Sequence, residues 1–467
     1  MLIHVNPGSC RGQPVNMPQW MGASLGLVKV AGREATGTAL GEERWFRRVG
    51  DRRGVARETA HRAPSRGVQL SIMGSARTER LGVAIVGLGG AVATTAVAGI
   101  EALKAGSNKL DGLPLAHLSV PGMANYRDLV FGGWDVNAND LASAAEEHGV
   151  LANGELASAE KLGTMTPWKA VASQKFCKNI VGRNITAARN HREAVDIIAD
   201  DLRRFKEESG VDRVVVINLA STESWPDLTA PTLNTVAGFE RGLDADDEAI
   251  GPAMLYAYAA IANDYAYANF TPSVAADVPA LMALARDRNV AIAGKDGKTG
   301  QTMMKTVIAP ALKARALHVD GWFSTNILGN RDGLALTDPN SLQSKLNTKG
   351  GVLDEMLGYP VEDHLVDIRY YRPRGDDKEA WDNIDVTGFL GQKMQIKINF
   401  LCKDSILAAP LAIEIARVMG LASKRGDGGV QEQLSHFFKA PMVRNGHHPE
   451  HAFHVQEAML MDWLNVG

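Results

Sequence analysis

Cysteine is nearly missing from this 467-residue chain: Cys10, Cys177 and Cys402 stand far apart and form no Cys-x-x-Cys pair. That argues against a disulfide framework and a structural zinc site, and it suits a reducing cytoplasm. Neither sign of charge dominates, with 50 basic against 53 acidic side chains, so nothing draws the whole chain toward nucleic acid or an acidic membrane. There is no internal repeat and no Gly-x-Ser-x-Gly nucleophile elbow. One uncharged run, Leu81 to Ile100, is twenty residues long, enough on paper to span a bilayer. Its five glycines, three of them clustered at Gly87-Leu88-Gly89-Gly90, would interrupt a span, so the expectation is strand, glycine turn and helix start.

What is present points to a globular enzyme. Hydrophobic residues make up 45% and glycine 47 positions, as suits two or three α/β domains full of tight strand-to-helix turns. The first 72 residues differ: ten Arg and one Lys against five acids give +6, which leaves −9 for the remainder of a chain at −3. They carry neither signal-peptide core nor aromatic-basic motif, and the expectation for 1–72 is a disordered extension. From Met73 onward, strands alternate with helices. Val83–Val86, Val214–Ile217 and Asn289–Gly294 read as buried parallel strands; Ala91–Ala105, Ala187–Glu208 and Thr302–Leu317 read as helices. That alternation predicts a doubly wound parallel sheet. Between about 320 and 400, Ile368–Tyr371 and Lys393–Ile398 mix apolar and polar positions, as in a second, open sheet, before a long apolar helix from Ile406.

Gly87-Leu88-Gly89-Gly90 closes a strand where it opens a helix, the place where backbone N–H groups hold a pyrophosphate, although Val92 stands where a third glycine is usual. Gly297-Lys298-Thr299 imitates a P-loop, but Ile292 occupies the position of its first glycine, so triphosphate hydrolysis is not supported. What remains at Thr299-Gly300-Gln301-Thr302 suits a phosphate monoester at a helix N-terminus. Asn326 to Gly333 reads as a turn rich in amides, and Lys345 and Lys349 share a face if that piece is helical. Gly375-Asp376-Asp377-Lys378, Cys402-Lys403-Asp404-Ser405 and Phe438-Lys439-Ala440-Pro441 complete a lysine-and-carboxylate inventory, each alone reading as surface charge. His447, His448, His451 and His454 cluster, but Pro449 breaks their helical spacing, so a solvated turn rather than a metal site is expected.

Taken in order, these segments, together with Phe131–Asp135 and Ala220-Ser221-Thr222-Glu223, resemble the myo-inositol-1-phosphate synthase family. The resemblance implies a Rossmann-like, doubly wound NAD-binding domain (73–302, resuming at 406–467), interrupted by an α+β catalytic and tetramerisation domain (303–405). It implies a cytoplasmic homotetramer with neither nucleic acid nor membrane as partner and no metal in the site. The implied reaction converts D-glucose 6-phosphate to 1D-myo-inositol 3-phosphate by oxidation at C5, enolisation, aldol closure onto C1 and reduction, with no net redox change. Lys345 would serve O5 and Lys439 would serve O1; Lys349 and Lys378 would hold phosphate and enolate charge, and Asp332 and Asp404 would orient hydroxyls. Thr299, Gly300, Gln301, Thr302 and Asn326 would bind substrate. NAD would contact Gly87, Gly89, Gly90, Ala91, Val92, Asp135, Ala220, Ser221, Thr222, Asp296, Asn330, Asp376 and Ser405. The chain departs from the family at Ala91-Val92, where asparagines are usual, and at Lys295, which replaces an acid beside the phosphate loop. The alternatives are a cyclase for another sugar phosphate, a dehydrogenase that releases NADH, and a ligand-binding sensor.

Overall fold

The computed structural model describes residues 79–151, 160–341, 352–444 and 446–465. The stretch 1–72 and the pair Lys345 and Lys349 therefore lie outside the described residues.

The all-apolar strands read from the sequence join one parallel sheet. Its strands are β1 (Leu81–Val86), β2 (Leu129–Asp135), β3 (Trp168–Lys169), β4 (Arg213–Asn218), β5 (Ala266–Asn269), β6 (Ala291–Gly294) and β11 (Gly429–Val430). They lie in the order β3-β2-β1-β4-β5-β6-β11, so the winding reverses between β1 and β4. Side chains alternate between two buried layers. Val83, Ile85, Val215 and Ile217 face a core shared with α1 (Ala91–Ala105) and with α10 (Asp404–Arg425). Ala84, Val86, Val214 and Val216 face the opposite core, under α3 (His191–Ser209) and α5 (Pro252–Ala262). Two clean faces from a period of two explain why these strands carry almost no polar residue. Gly133 is required where β2 runs against β1, because a Cβ there would lie 2.0 Å from the Ile85 carbonyl oxygen.

Leu81 to Ile100 is strand, glycine turn and helix as expected, and α1 starts and ends where the periodicity put it. Boundaries elsewhere moved for local reasons. Helix α3 begins at His191 rather than Ala187 because the Asn190 side chain accepts from Glu193 N and caps it. Helix α7 (Gln301–Ala314) stops three residues short of Leu317, and the Asn289 strand starts only at Ala291.

The second sheet is mixed. Strands β7 (His318–Leu328), β8 (Asp363–Tyr370), β9 (Asp377–Thr387) and β10 (Lys393–Lys403) are ordered β10-β9-β7-β8, with β7 and β8 parallel and the other pairs antiparallel. One face packs Trp322, Ile384 and Val386 against Leu312 of α7 and Leu353 of α9 (Val352–Leu357). The other exposes Leu365, Trp381 and Leu401. Asn326 belongs to β7, so the expected turn begins only at Gly329 and leads into the short helix α8 (Arg331–Ala335), capped by Asn330. Helix α10 follows β10 without a loop. It is long and apolar enough to cross a membrane by composition, but 78% of its apolar window is buried here as a core helix. The histidine cluster is not simply a solvated turn: His451 is 5% exposed and its Nε2 lies 3.1 Å from Glu355 Oε2. No group of three metal-ligating side chains occurs among the described residues.

Candidate functional site

The reversal between β1 and β4 opens a crevice at the carboxyl ends of the strands, where open α/β sheets bind ligands. Gly87 N and Leu88 N donate to Trp134 O at 2.8 and 3.0 Å, tying the turn after β1 to β2. Gly87 has φ +88°, and a Cβ on it would lie 2.9 Å from Ala220 Cα, so only glycine lets the loops after β1 and β4 meet. Gly90 caps α1 with no side-chain hydrogen bond, which leaves the N–H groups of the first turn available to an anion. Ala91 and Val92, at that helix start, line the crevice with Ala220, Ser221 and Thr222 opposite. Asp135, at the end of β2, accepts from Gly89 N at 3.0 Å and Asn137 N at 2.9 Å. Burial raises its carboxyl above the usual range.

The crevice continues into a cluster of lysines and carboxylates. Lys439 reaches back from the segment after β11, and its Nζ lies 2.7 Å from Asp296 Oδ1. Backbone bonds hold the two strands of that contact together: Lys295 N donates to Ala440 O, and Lys439 N to Asp296 O. Lys378, near the start of β9, lies 3.4 Å from Asp404 Oδ1, and the same oxygen accepts from Thr299 Oγ1 at 3.2 Å. Thr222 Oγ1 donates to Asp332 Oδ1 at 3.1 Å. Both lysines are only 7% exposed, which corrects the expectation of surface charges. Asp296, Thr299, Asp332, Lys378, Asp404 and Lys439 line the same cavity as the dinucleotide-type crevice, as do Asn330 and Ser405. Such groups, enclosed together, can bind an anionic polyol and hold or move protons at its oxygens.

Other expected site residues stand one layer back. Gly89, Gly300, Gln301, Thr302, Asn326 and Asp376 are not among the described residues of the cavity wall. Gln301 turns toward the second sheet, with its Oε1 accepting from Asn326 Nδ2. Asp376 accepts from Ser405 N at 3.0 Å and Ser405 Oγ at 2.7 Å, and burial raises its carboxyl. Lys295 does not add charge to the phosphate loop; it pairs with Asp277 at 2.7 Å and lies over the Trp225 ring. The wall also holds residues to which the sequence assigned nothing: His148, Glu223 and Arg331. His148 Nε2 lies 2.8 Å from Gly89 O, and Arg331 pairs with Glu147. Arg331 and Glu223 sit within the segments singled out by motif, but a lone histidine at the end of a helix carries no signal. For a dinucleotide the fit is good: an uncapped helix start, a glycine turn that no Cβ could occupy, and a buried acid beside it.

A family model described as Myo-inositol-1-phosphate synthase matches residues 113–465. The chain is 41% identical over 409 residues to inositol-3-phosphate synthase 1 of Bacteroides thetaiotaomicron, covering 83% of this chain and 95% of that protein. It is 31% identical over 436 residues to inositol-3-phosphate synthase 1 of Oryza sativa subsp. japonica, covering 83% and 86%. The crystal structure of inositol-3-phosphate synthase from Caenorhabditis elegans superposes with a TM-score of 0.78 at 25% identity, covering 84% and 86%.

Proposed function

This chain belongs to the myo-inositol-1-phosphate synthase family, and from that premise we propose that it cyclises D-glucose 6-phosphate to 1D-myo-inositol 3-phosphate with NAD as a recycled cofactor. The observation that carries this reading is the meeting, in one cavity, of a dinucleotide crevice with two buried lysine–carboxylate pairs.

NAD, when bound, would supply the hydride acceptor for C5 and the hydride donor for the closed ring. Gly87, Gly90, Ala91 and Val92 cradle its phosphates, Asp135 takes the adenosine ribose, and Ala220, Ser221 and Thr222 close the opposite side. Asp296 and Asn330 would stand between nicotinamide and sugar, with Asp376 behind them through Ser405. The sugar phosphate is held by Thr299, with Gly300, Gln301, Thr302 and Asn326 shaping the loop behind it. Lys439, its ammonium oriented by Asp296, meets O1 as the alkoxide develops there. Lys378, tethered by Asp404, holds enolate and phosphate charge; Lys349 shares that work and Lys345 moves the proton at O5. Asp332 and Asp404 orient the hydroxyls. An ammonium held in place before charge develops needs no reorganisation when it does, which is why paired lysines suit both oxyanions.

In the same reading, 73–302 and 406–467 serve the dinucleotide and 303–405 the ring chemistry and assembly. The exposed Leu365, Trp381 and Leu401 on the outer face of the second sheet support a homotetramer, and the sparse cysteines support a cytoplasmic location. The test is product analysis: purified protein is incubated with glucose 6-phosphate and a catalytic amount of NAD+, and followed by phosphorus NMR against authentic inositol phosphate. Product in excess of the added NAD+, with no accumulating NADH, is expected. Accumulating NADH, or no conversion by protein that binds NAD, overturns the proposal.

A further inference from the structure

A second cavity, of about 900 Å³, lies between α1, the first turns of α10 and the segment leading into α11 (Phe453–Leu464). Its volume is within the roughly 300–1,000 Å³ usual for small-molecule sites. Most of the wall is apolar, including Ile100, Leu103, Met303, Leu407, Ile413 and Phe437. Set into it are polar groups that lack partners. Thr95 Oγ1 and His436 Nδ1 are buried with no hydrogen bond, and so is Ser435 Oγ, next to His436 in the chain. Two of the four such side-chain atoms among the described residues, Thr95 Oγ1 and His436 Nδ1, thus belong to residues that line this one cavity. Lys298, 3% exposed, belongs to the same wall, its Nζ held by Ser435 O at 3.5 Å and by Gln456 Oε1, and 5.4 Å from the Phe453 ring centroid. The only carboxylate among the described lining residues is the exposed Asp111. Buried polar atoms with no hydrogen-bond partner, one lysine and a long apolar wall match a ligand with an anionic oxygen head and a hydrocarbon body.

We propose that this cavity binds an aliphatic monocarboxylate, its head met by Lys298, His436 and Thr95 and its chain lying between α1 and α10. Thr299 lines both this cavity and the catalytic one, and it donates to Asp404. On the function proposed above, occupancy therefore changes the KM for glucose 6-phosphate, whereas binding itself does not depend on that function.

Gly99 supplies a clean test. It lines the cavity, and a Cβ added there meets nothing within 4 Å. A side chain also favours a helix interior over glycine, so Gly99→Phe fills the space without strain. Decanoate titrated calorimetrically into the full chain is expected to bind saturably at one site, and decanol at least tenfold more weakly. Gly99→Phe is expected to abolish the decanoate heat with an unchanged or raised Tm, and Lys298→Met to weaken decanoate at least tenfold while leaving decanol unaffected. No saturable heat, or decanoate bound equally by Gly99→Phe, overturns the site. Decanol bound as tightly as decanoate overturns the carboxylate head. A Tm lowered by several degrees in Gly99→Phe also overturns the proposal, because the space is then occupied by protein. Decanoate binding by a chain that makes no inositol phosphate leaves this site standing and removes only the catalytic reading.

Discussion

Glu223 links the cavity to the stability of the protein. Its Oε1 accepts from Ala253 N at 3.1 Å, at the start of α5, and burial pushes its carboxyl from 4.5 to about 8. The folded protein therefore keeps a proton that the unfolded chain releases above about pH 4.5. Stability contributed by the neutral form is full below that pH and is lost as pH rises through 8. At about 1.4 kcal/mol for each pH unit the whole interval amounts to roughly 5 kcal/mol. Glu223 lines the cavity and keeps partial exposure, so water there trims the effect to about 2–3 kcal/mol. Glu223→Gln keeps the acceptor for Ala253 N and cannot ionise. Thermal unfolding without NAD is to be compared at pH 5 and pH 8.5. The two proteins should melt together at the lower pH, and the variant should melt higher, on the order of 3 °C, at the upper. Parallel melting curves across that range would falsify the assignment of a neutral, buried Glu223.

Lys345→Ala and Lys439→Ala should each abolish turnover while NAD binding stays measurable by fluorescence titration; retained turnover in both removes the lysine assignments. Lys439→Ala also strips Asp296 of its ammonium in a buried setting, at a cost of about 3–5 kcal/mol in a denaturant melt. Gly133→Ala drives a Cβ into the Ile85 carbonyl, so soluble yield and far-ultraviolet dichroism should collapse together, and a normally folded variant would contradict the β1–β2 register. Glu414→Leu removes the acceptor of Leu115 N, Tyr126 OH and Arg417 Nη1 and takes the carboxylate partner from a guanidinium that is 6% exposed; a loss of about 3–5 kcal/mol is expected, and a Tm within 1–2 °C of the parent would show that the network is dispensable.

Strands buried on both faces are the easiest elements to read, because both layers demand apolar side chains; Val83–Val86 and Val214–Ile217 stand out for that reason. Strand β5 does not, since Ala-Tyr-Ala-Asn has no β-branched residue and is defined by its neighbours. Strand β9 hides for another reason. Its inward positions include Lys378 and Asp382, and Asp382 accepts from Trp322 Nε1 and Ser324 Oγ across the sheet. The lysine pairs were legible as residue types and illegible as pairs. Asp296 and Lys439 meet because two backbone segments far apart in the chain hydrogen-bond side by side. The direction of Gln301 is likewise set by Asn326 on β7, which no local pattern announces.

The joint at Lys403–Asp404 has a consequence for how this enzyme family can drift. The chain leaves the second sheet and enters the core helix of the first with no residue to spare. Inserting one residue there would swing Asp404 by about 100° about the helix axis and pull it away from Lys378 and Thr299 together. Length changes at this joint are therefore closed to evolution and to protein engineering alike, while the exposed tip at Phe389 and Leu390 can lengthen freely. The reach of Asp404 to Lys378 and Thr299 is in this sense an inherited ruler, read off the covalent chain itself.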